Sequence, residues 1–183
     1  DCKKALAAND HDLEKAITWL REKGIAKAAK KAATRIAAEG VASILVDGDK
    51  AAVIEINCET DFVANSDPFR ALVKEVNEIV LATEPKSLEE AKQAKNAEGK
   101  SIEEIFVDAG VKLGEKLDFR RFEIVHKNPE DNFGPYLHMK GKIAVLTTIK
   151  GGNPEVANRI SLVVCSNNPS YANEADIPAE VIA

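Results

Sequence analysis

The chain has 183 residues, a net charge of −5, 45% hydrophobic and 30% charged residues, enough for one large domain or two small ones with buried cores. That charge gives no general attraction to nucleic acid or to anionic membranes, and no apolar run approaches the ~20 residues of a membrane span or opens the chain as a secretory signal. Three scattered cysteines, Cys2, Cys58 and Cys165, fit reduced cytosolic thiols better than a disulfide framework.

The first forty residues read as helices. Asn9, Asp10 and Asp12 supply caps, Leu13, Ala16, Ile17 and Leu20 recur at helical spacing, and Gly24 is a suitable stop. A second, alanine-rich helix from about Ala26 to Ala38 carries Lys27, Lys30, Lys31 and Arg35. Such a basic face is either solvated or a contact for nucleic acid or an acidic protein. Trp19 beside the stripe reads as packing.

After Gly40 the pattern turns to strands. Val41 to Val46 and Ala51 to Cys58 are rich in β-branched residues and flank the hairpin signal Asp47-Gly48-Asp49-Lys50. A loop from Cys58 to Asp67 follows. Ser66 or Asp67 then caps a helix with Pro68 in its first turn and an apolar stripe of Phe69, Leu72, Val73, Val76, Ile79 and Val80. Capping boxes at Ser87-Leu88-Glu89-Glu90 and Ser101-Ile102-Glu103-Glu104 start two more helices, the second with Ile102, Ile105, Phe106, Ala109 and Leu113 on one face. Leu117 to His126 reads as a strand whose apolar phase slips between Phe119 and Phe122, which predicts a bulge or strong twist.

The last third repeats the middle. Tyr136 to Lys140, a turn at Gly141, and Ile143 to Lys150 form a hairpin. Gly151-Gly152-Asn153 leads to Pro154 and a helix with Val156, Ala157, Ile160 and Val163 or Val164 on its apolar face. The fold class expected is α+β: a small helical segment at 1–40, a first unit at 41–132 and a second, incomplete one at 133–183, each an antiparallel sheet with helices packed on it.

The two strand-to-helix connections differ. The second needs only Gly151 to Asn153, so the longer Glu59 to Asp67 contains residues the topology does not require, Phe62 among them. The residues alone leave two readings of Phe62 open: folded into the core beneath its own loop, or held for another molecule. Asp61 can cap a turn. Tyr136, His138 and Lys140 alternate against Leu137 and Met139, so His138 is expected to face solvent from its strand. His11, His126 and His138 are scattered, no pair has metal-ligand spacing, and neither a phosphate-cradling glycine loop nor a nucleophile elbow is present. Neither an enzyme nor a metal or cofactor site is expected.

Asp1-Cys2-Lys3-Lys4-Ala5-Leu6, Ala26-Lys27-Ala28-Ala29-Lys30-Lys31-Ala32 and Asn57-Cys58-Glu59-Thr60-Asp61-Phe62-Val63-Ala64, continued by Gly114-Glu115, Arg120-Arg121, Tyr136, His138 and Gly141 to Leu146, resemble the elongation factor Ts family. The resemblance implies a ubiquitin-associated-like helical domain, here lacking its first helix, before two related α+β subdomains. It implies cytoplasmic guanine-nucleotide exchange on elongation factor Tu, with no cofactor, no direct nucleic acid and no membrane. Thr60, Asp61, Phe62 and Val63 would form the loop that meets GDP-bound or nucleotide-free elongation factor Tu. The aromatic ring would enter an apolar pocket, disturbing magnesium and phosphate binding so that GDP leaves, and His138 would add a contact from the second subdomain. The family's Thr-Gly-Ala-Gly segment is absent before Asp1, and the chain is expected to be a fragment of a long member or a short member that forms homodimers. An alternative of a different class is a non-enzymatic adaptor that holds protein or RNA through the basic helix.

Overall fold

The computed structural model describes residues 2–171 and 173–182, apart from the side chains of residues 25, 27–29, 31 and 32. The chain runs α1 (Cys2–Ala8), α2 (Leu13–Ala32), β1 (Glu39–Asp47), β2 (Lys50–Cys58), α3 (Asp61–Ala64), α4 (Asp67–Thr83), α5 (Leu88–Gln93), α6 (Ile102–Leu113), β3 (Asp118–His126), β4 (Asp131–His138), β5 (Ile143–Lys150), α7 (Pro154–Asn167), a 3-10 turn (Glu174–Asp176) and α8 (Ala179–Ile182). One antiparallel sheet has the order β1-β2-β3 and a second pairs β4 with β5. This is the α+β class expected from the sequence.

The helical segment corrects two expectations. The Asp12 carboxylate does cap α2, accepting the Lys15 N–H at 3.0 Å. Yet α2 runs unbroken through Gly24 to Ala32, where a stop and a second helix were expected. A Cβ at residue 24 would lie 2.9 Å from Val111 Cγ1 on α6. Gly24 therefore marks where α2 packs close to α6, an approach that Arg21 reinforces with a 3.3 Å ion pair to Asp108. Only Ala16 of the expected stripe is buried, and Leu13 and Ile17 are exposed, because the seven-residue α1, burying only Ala5, is too small to cover them. The expectation about Lys27 and Lys31 falls on side chains outside the described residues.

The first α+β unit holds the main core. The stripe on α4 is fully buried at Phe69, Leu72, Val73, Val76, Ile79 and Val80, packed with Ile54 and Ile56 of β2, Ile102 and Ile105 of α6, and Phe119 of β3. Ser101 forms a complete capping box with Glu104. Ser87 caps α5, but the Glu90 carboxylate reaches the Lys86 N–H rather than that of Ser87. The predicted slip in β3 is a bulge: Glu55 pairs with Arg121 and Ile56 with Phe119, so Arg120 is the extra residue. With that residue looped out, Phe119 and Phe122 return to one face, their ring centroids 6.0 Å apart.

In the second unit β4 begins at Asp131, earlier than the expected Tyr136. Pro135 lies within this strand, which a two-stranded sheet tolerates because each strand has a free edge. Gly134 is required there, since a Cβ would lie 2.2 Å from the Ala157 carbonyl oxygen of α7. The α7 face also departs from expectation. Ala157 and Ser161 are its buried residues, whereas Val156, Ile160 and Val163 remain largely exposed. Ser161 donates to the Gly134 carbonyl and lies 2.8 Å from Thr147 Oγ1, which donates to the Ala157 carbonyl at 3.1 Å. A small polar knot, not an aliphatic stripe, seats this helix. The two units meet where the Ala42 N–H donates to the Gly141 carbonyl at 2.7 Å and Lys142 pairs with Glu39.

Candidate functional site

The loop after β2 is built from its backbone outward. Asn57 is buried at the end of β2 and its side-chain amide donates to the Glu39 carbonyl at 3.0 Å, tying β2 to the start of β1. Cys58 is fully buried, and its thiol donates to the Thr60 carbonyl at 3.2 Å. Burial first, and then the charge of Glu115, pushes that thiol from 9.0 up to about 11. It is a protonated packing group at neutral pH, not a nucleophile.

Thr60 then starts a short helix. Its side-chain oxygen accepts the Val63 N–H at 3.3 Å while its hydroxyl donates to Glu115 Oε1 at 2.6 Å. Glu115 Oε2 accepts the N–H groups of Glu59 and Thr60 at 3.0 and 3.1 Å. In return Glu59 Oε1 accepts the Lys116 N–H at 2.6 Å, and Glu59 Oε2 is held by Arg35 at 2.8 Å. Two carboxylates thus exchange backbone partners between the β2–α3 connection and the α6–β3 connection.

The turn of α3 faces both ways. Ala64 is buried and Val63 packs on the core, while Asp61 is exposed and Phe62 is 85% exposed. Of the two readings of Phe62, the structure adopts the outward one. Among the described residues Phe62 is the most exposed of the large apolar side chains, and it sits on a helical turn pinned by polar contacts.

The C-terminal end of the turn reaches the second unit. The Asn65 side-chain amide donates back to the Asp61 carbonyl at 2.8 Å and Ser66, capping α4, donates to the Val63 carbonyl at 2.8 Å. Arg70 Nη1 donates to the Lys140 carbonyl at 2.7 Å, and Arg70 Nη2 reaches Asn65 Oδ1 at 3.5 Å. The β4–β5 turn is therefore held beside the α3 end. It is tight: Met139 and Lys140 have φ of 48° and 58°, and the Gly141 N–H donates to the His138 carbonyl at 3.1 Å. The half-buried His138 stacks with Tyr136, whose hydroxyl lies 3.2 Å from His138 Nδ1. Thr60, Asp61, Phe62 and Val63 thus form one turn, and His138 sits at the base of the hairpin turn that Arg70 links to it.

In the sequence Glu115 stands out only within the Gly114-Glu115 resemblance, and Arg70 does not stand out at all. A carboxylate directly after the helix-ending Gly114 (φ 73°) was the available signal for the first. For Arg70 there was none, because the Lys140 carbonyl that it meets at 2.7 Å lies on a separate hairpin. Among the described residues no group of His, Cys, Asp and Glu could hold a metal ion, and no helix is long and apolar enough to cross a membrane.

The family model for elongation factor TS matches residues 59–183, which begins at the carboxylate latch and includes the exposed turn. The chain belongs to the elongation factor Ts family. Over 180 residues, 98% of the chain, it is 46% identical to elongation factor Ts of Lacticaseibacillus casei (strain BL23) and 45% identical to that of Limosilactobacillus fermentum (strain NBRC 3956 / LMG 18251). The matched part covers 61% of each of these relatives, so the chain spans about three fifths of the length of the curated family members it matches.

Proposed function

We propose that the chain acts in translation elongation as a guanine-nucleotide exchange factor, binding elongation factor Tu–GDP in the cytoplasm and promoting GDP release without bond chemistry or a cofactor of its own. The observation that carries this reading is the outward Phe62, 85% exposed on an anchored turn within a member of this family. Phe62 enters an apolar pocket of the partner, Asp61 accompanies it at the rim, and Thr60 and Val63 shape the turn. Insertion disturbs magnesium and phosphate binding in the partner. His138 supports the contact from the second hairpin. The division into 1–40, 41–132 and 133–183 belongs to the same reading, supported by the separate sheets.

The energetics limit what Phe62 does. Linkage requires the factor to lower GDP affinity by the ratio in which GDP lowers affinity for the factor. Shifting the partner from almost wholly GDP-bound to almost wholly exchange-competent takes about 5.5 kcal/mol of differential binding. Burying one phenylalanine contributes roughly 1.5–3 kcal/mol. Phe62 is thus one hot spot in a wider interface that favours the nucleotide-free partner.

The test is release of fluorescent GDP from elongation factor Tu driven by Phe62→Ala. A slower maximal rate with unchanged folding is expected, and wild-type release would sink the reading. Of the basic segment on which the adaptor alternative rests, Arg35 is engaged by Glu59 while Lys30 is exposed.

A further inference from the structure

We infer that Glu115 is a positioning residue that holds the Asp61–Ala64 turn in its outward orientation before any partner arrives, an inference that rests on the exchange reading above. A helix of four residues has too few internal hydrogen bonds to persist alone. Phe62, almost bare, adds no packing that would fix it. The inner side is anchored by Ala64 and Val63, and the start of the turn by Glu115.

Both oxygens of that carboxylate are committed. One takes the Thr60 hydroxyl at 2.6 Å, which leaves the Thr60 oxygen's lone pairs turned to the Val63 N–H; the other takes the Glu59 and Thr60 N–H groups at 3.0 and 3.1 Å. Hydrogen bonds to a carboxylate are stronger than neutral ones, and N–H groups left without an acceptor in a half-buried place are costly. The reciprocal bond from Lys116 N–H to Glu59 at 2.6 Å closes the latch. It joins residues on separate connections, so the turn is referenced to the rigid end of α6 rather than to its own flexible neighbours. Glu115 is half-buried beneath the turn and does not present itself to a partner.

Its effect is therefore on readiness. When only a fraction of molecules is binding-competent, apparent affinity falls by that fraction while the bound state is unchanged. Phe62→Ala removes a group that acts in the complex. Glu115→Gln loosens the turn but leaves Phe62 to act once bound.

The experiment uses the full chain and two readouts. In the free protein, amide hydrogen exchange at Glu59, Thr60 and Val63 should approach the rate of an unstructured segment in Glu115→Gln, with the β1–β2 amides unchanged. In titrations of elongation factor Tu loaded with fluorescent GDP, the half-saturating concentration should rise by the factor in which the formed fraction of the turn falls, about tenfold for a turn formed in roughly a tenth of the molecules, at an unchanged plateau rate. Glu115→Asp, which keeps the charge with a shorter reach, should move both readouts the same way by less. It serves if the glutamine variant fails to fold. Unchanged amide exchange overturns the inference, as does a loosened turn with unchanged half-saturation, or a fall in plateau alone. A wild-type response of Phe62→Ala overturns the exchange reading instead, and the amide measurement, made without partner, keeps the two failures apart.

Discussion

The two strand-to-helix connections solve one topological problem with different amounts of chain. From β5 to α7 the backbone needs only Gly151, Gly152 and Asn153, with the Asn153 side chain accepting the Val156 N–H at 3.0 Å. From β2 to α4 the same device recurs, Ser66 accepting the Phe69 N–H at 3.4 Å, but a helical turn is inserted before it. The first helix then lies between a three-stranded sheet and α6 and buries its whole stripe. The second lies on two strands and buries little beyond Ala157 and Ser161. Equivalent local chemistry thus supports a well-packed unit that presents Phe62 on an inserted turn and a lightly packed one that has no such turn and leaves Val156, Ile160 and Val163 exposed along its helix. The surplus residues, not the shared ones, carry the difference.

The contrast can be broken most sharply by stability. Phe69→Ala on α4 should cost about 3–5 kcal/mol in denaturant unfolding, whereas Ile160→Ala on the open face of α7 should cost under about 1 kcal/mol. Equal losses would mean that the second unit is as tightly packed as the first. Next comes Phe62→Ala, expected to weaken the exchange-competent complex by about 1.5–3 kcal/mol while moving the unfolding midpoint hardly at all. A large stability loss would place the ring in the core and not at the surface.

The shared caps should behave alike. Ser66→Ala and Asn153→Ala are each expected to cost about 1 kcal/mol by chemical denaturation, and a strongly unequal pair would show that one connection is held by something other than its cap. The finest comparison uses the thiols. Cys58, fully buried, should react with a thiol reagent only when the first unit opens, while the half-buried Cys165 of α7 should react sooner. Because the folded Cys58 pKa of about 11 lies above its ordinary 9.0, its linkage contribution is fully present below pH 9. It is lost as pH rises towards 11. Stability of Cys58→Ala should lack that decline; an identical alkaline profile in the variant would remove Cys58 as its source.

Much of this was legible in advance. Strong local signals dominate where packing agrees with them: the Asp47–Lys50 hairpin, the α4 stripe and the Ser101 cap form where the pattern places them, and even the bulge at Arg120 announces itself as a slip in phase. The failures share a cause. Gly24 looks like a helix stop because a missing side chain is locally destabilising, but here it is the space Val111 needs. The strand expected from Tyr136 begins at Asp131 and includes Pro135, which lacks a ladder donor, because an edge strand does not need that donor. Val156, Ile160 and Val163 have the period of a buried face, yet period does not say whether anything lies opposite.

The sequence by itself determined most of the elements, their order and the surplus turn that contains Phe62, because turn chemistry, capping and periodicity act over a few residues. The run of α2 through Gly24 and the start of β4 at Asp131 were set by packing. Only the tertiary structure decided that Phe62 points outward, and that Glu115 and Arg70 hold its turn from the two sides. Those contacts join segments about fifty-five and seventy residues apart (Thr60 with Glu115, Arg70 with Lys140). No local rule reaches across that distance; the folded core sets it.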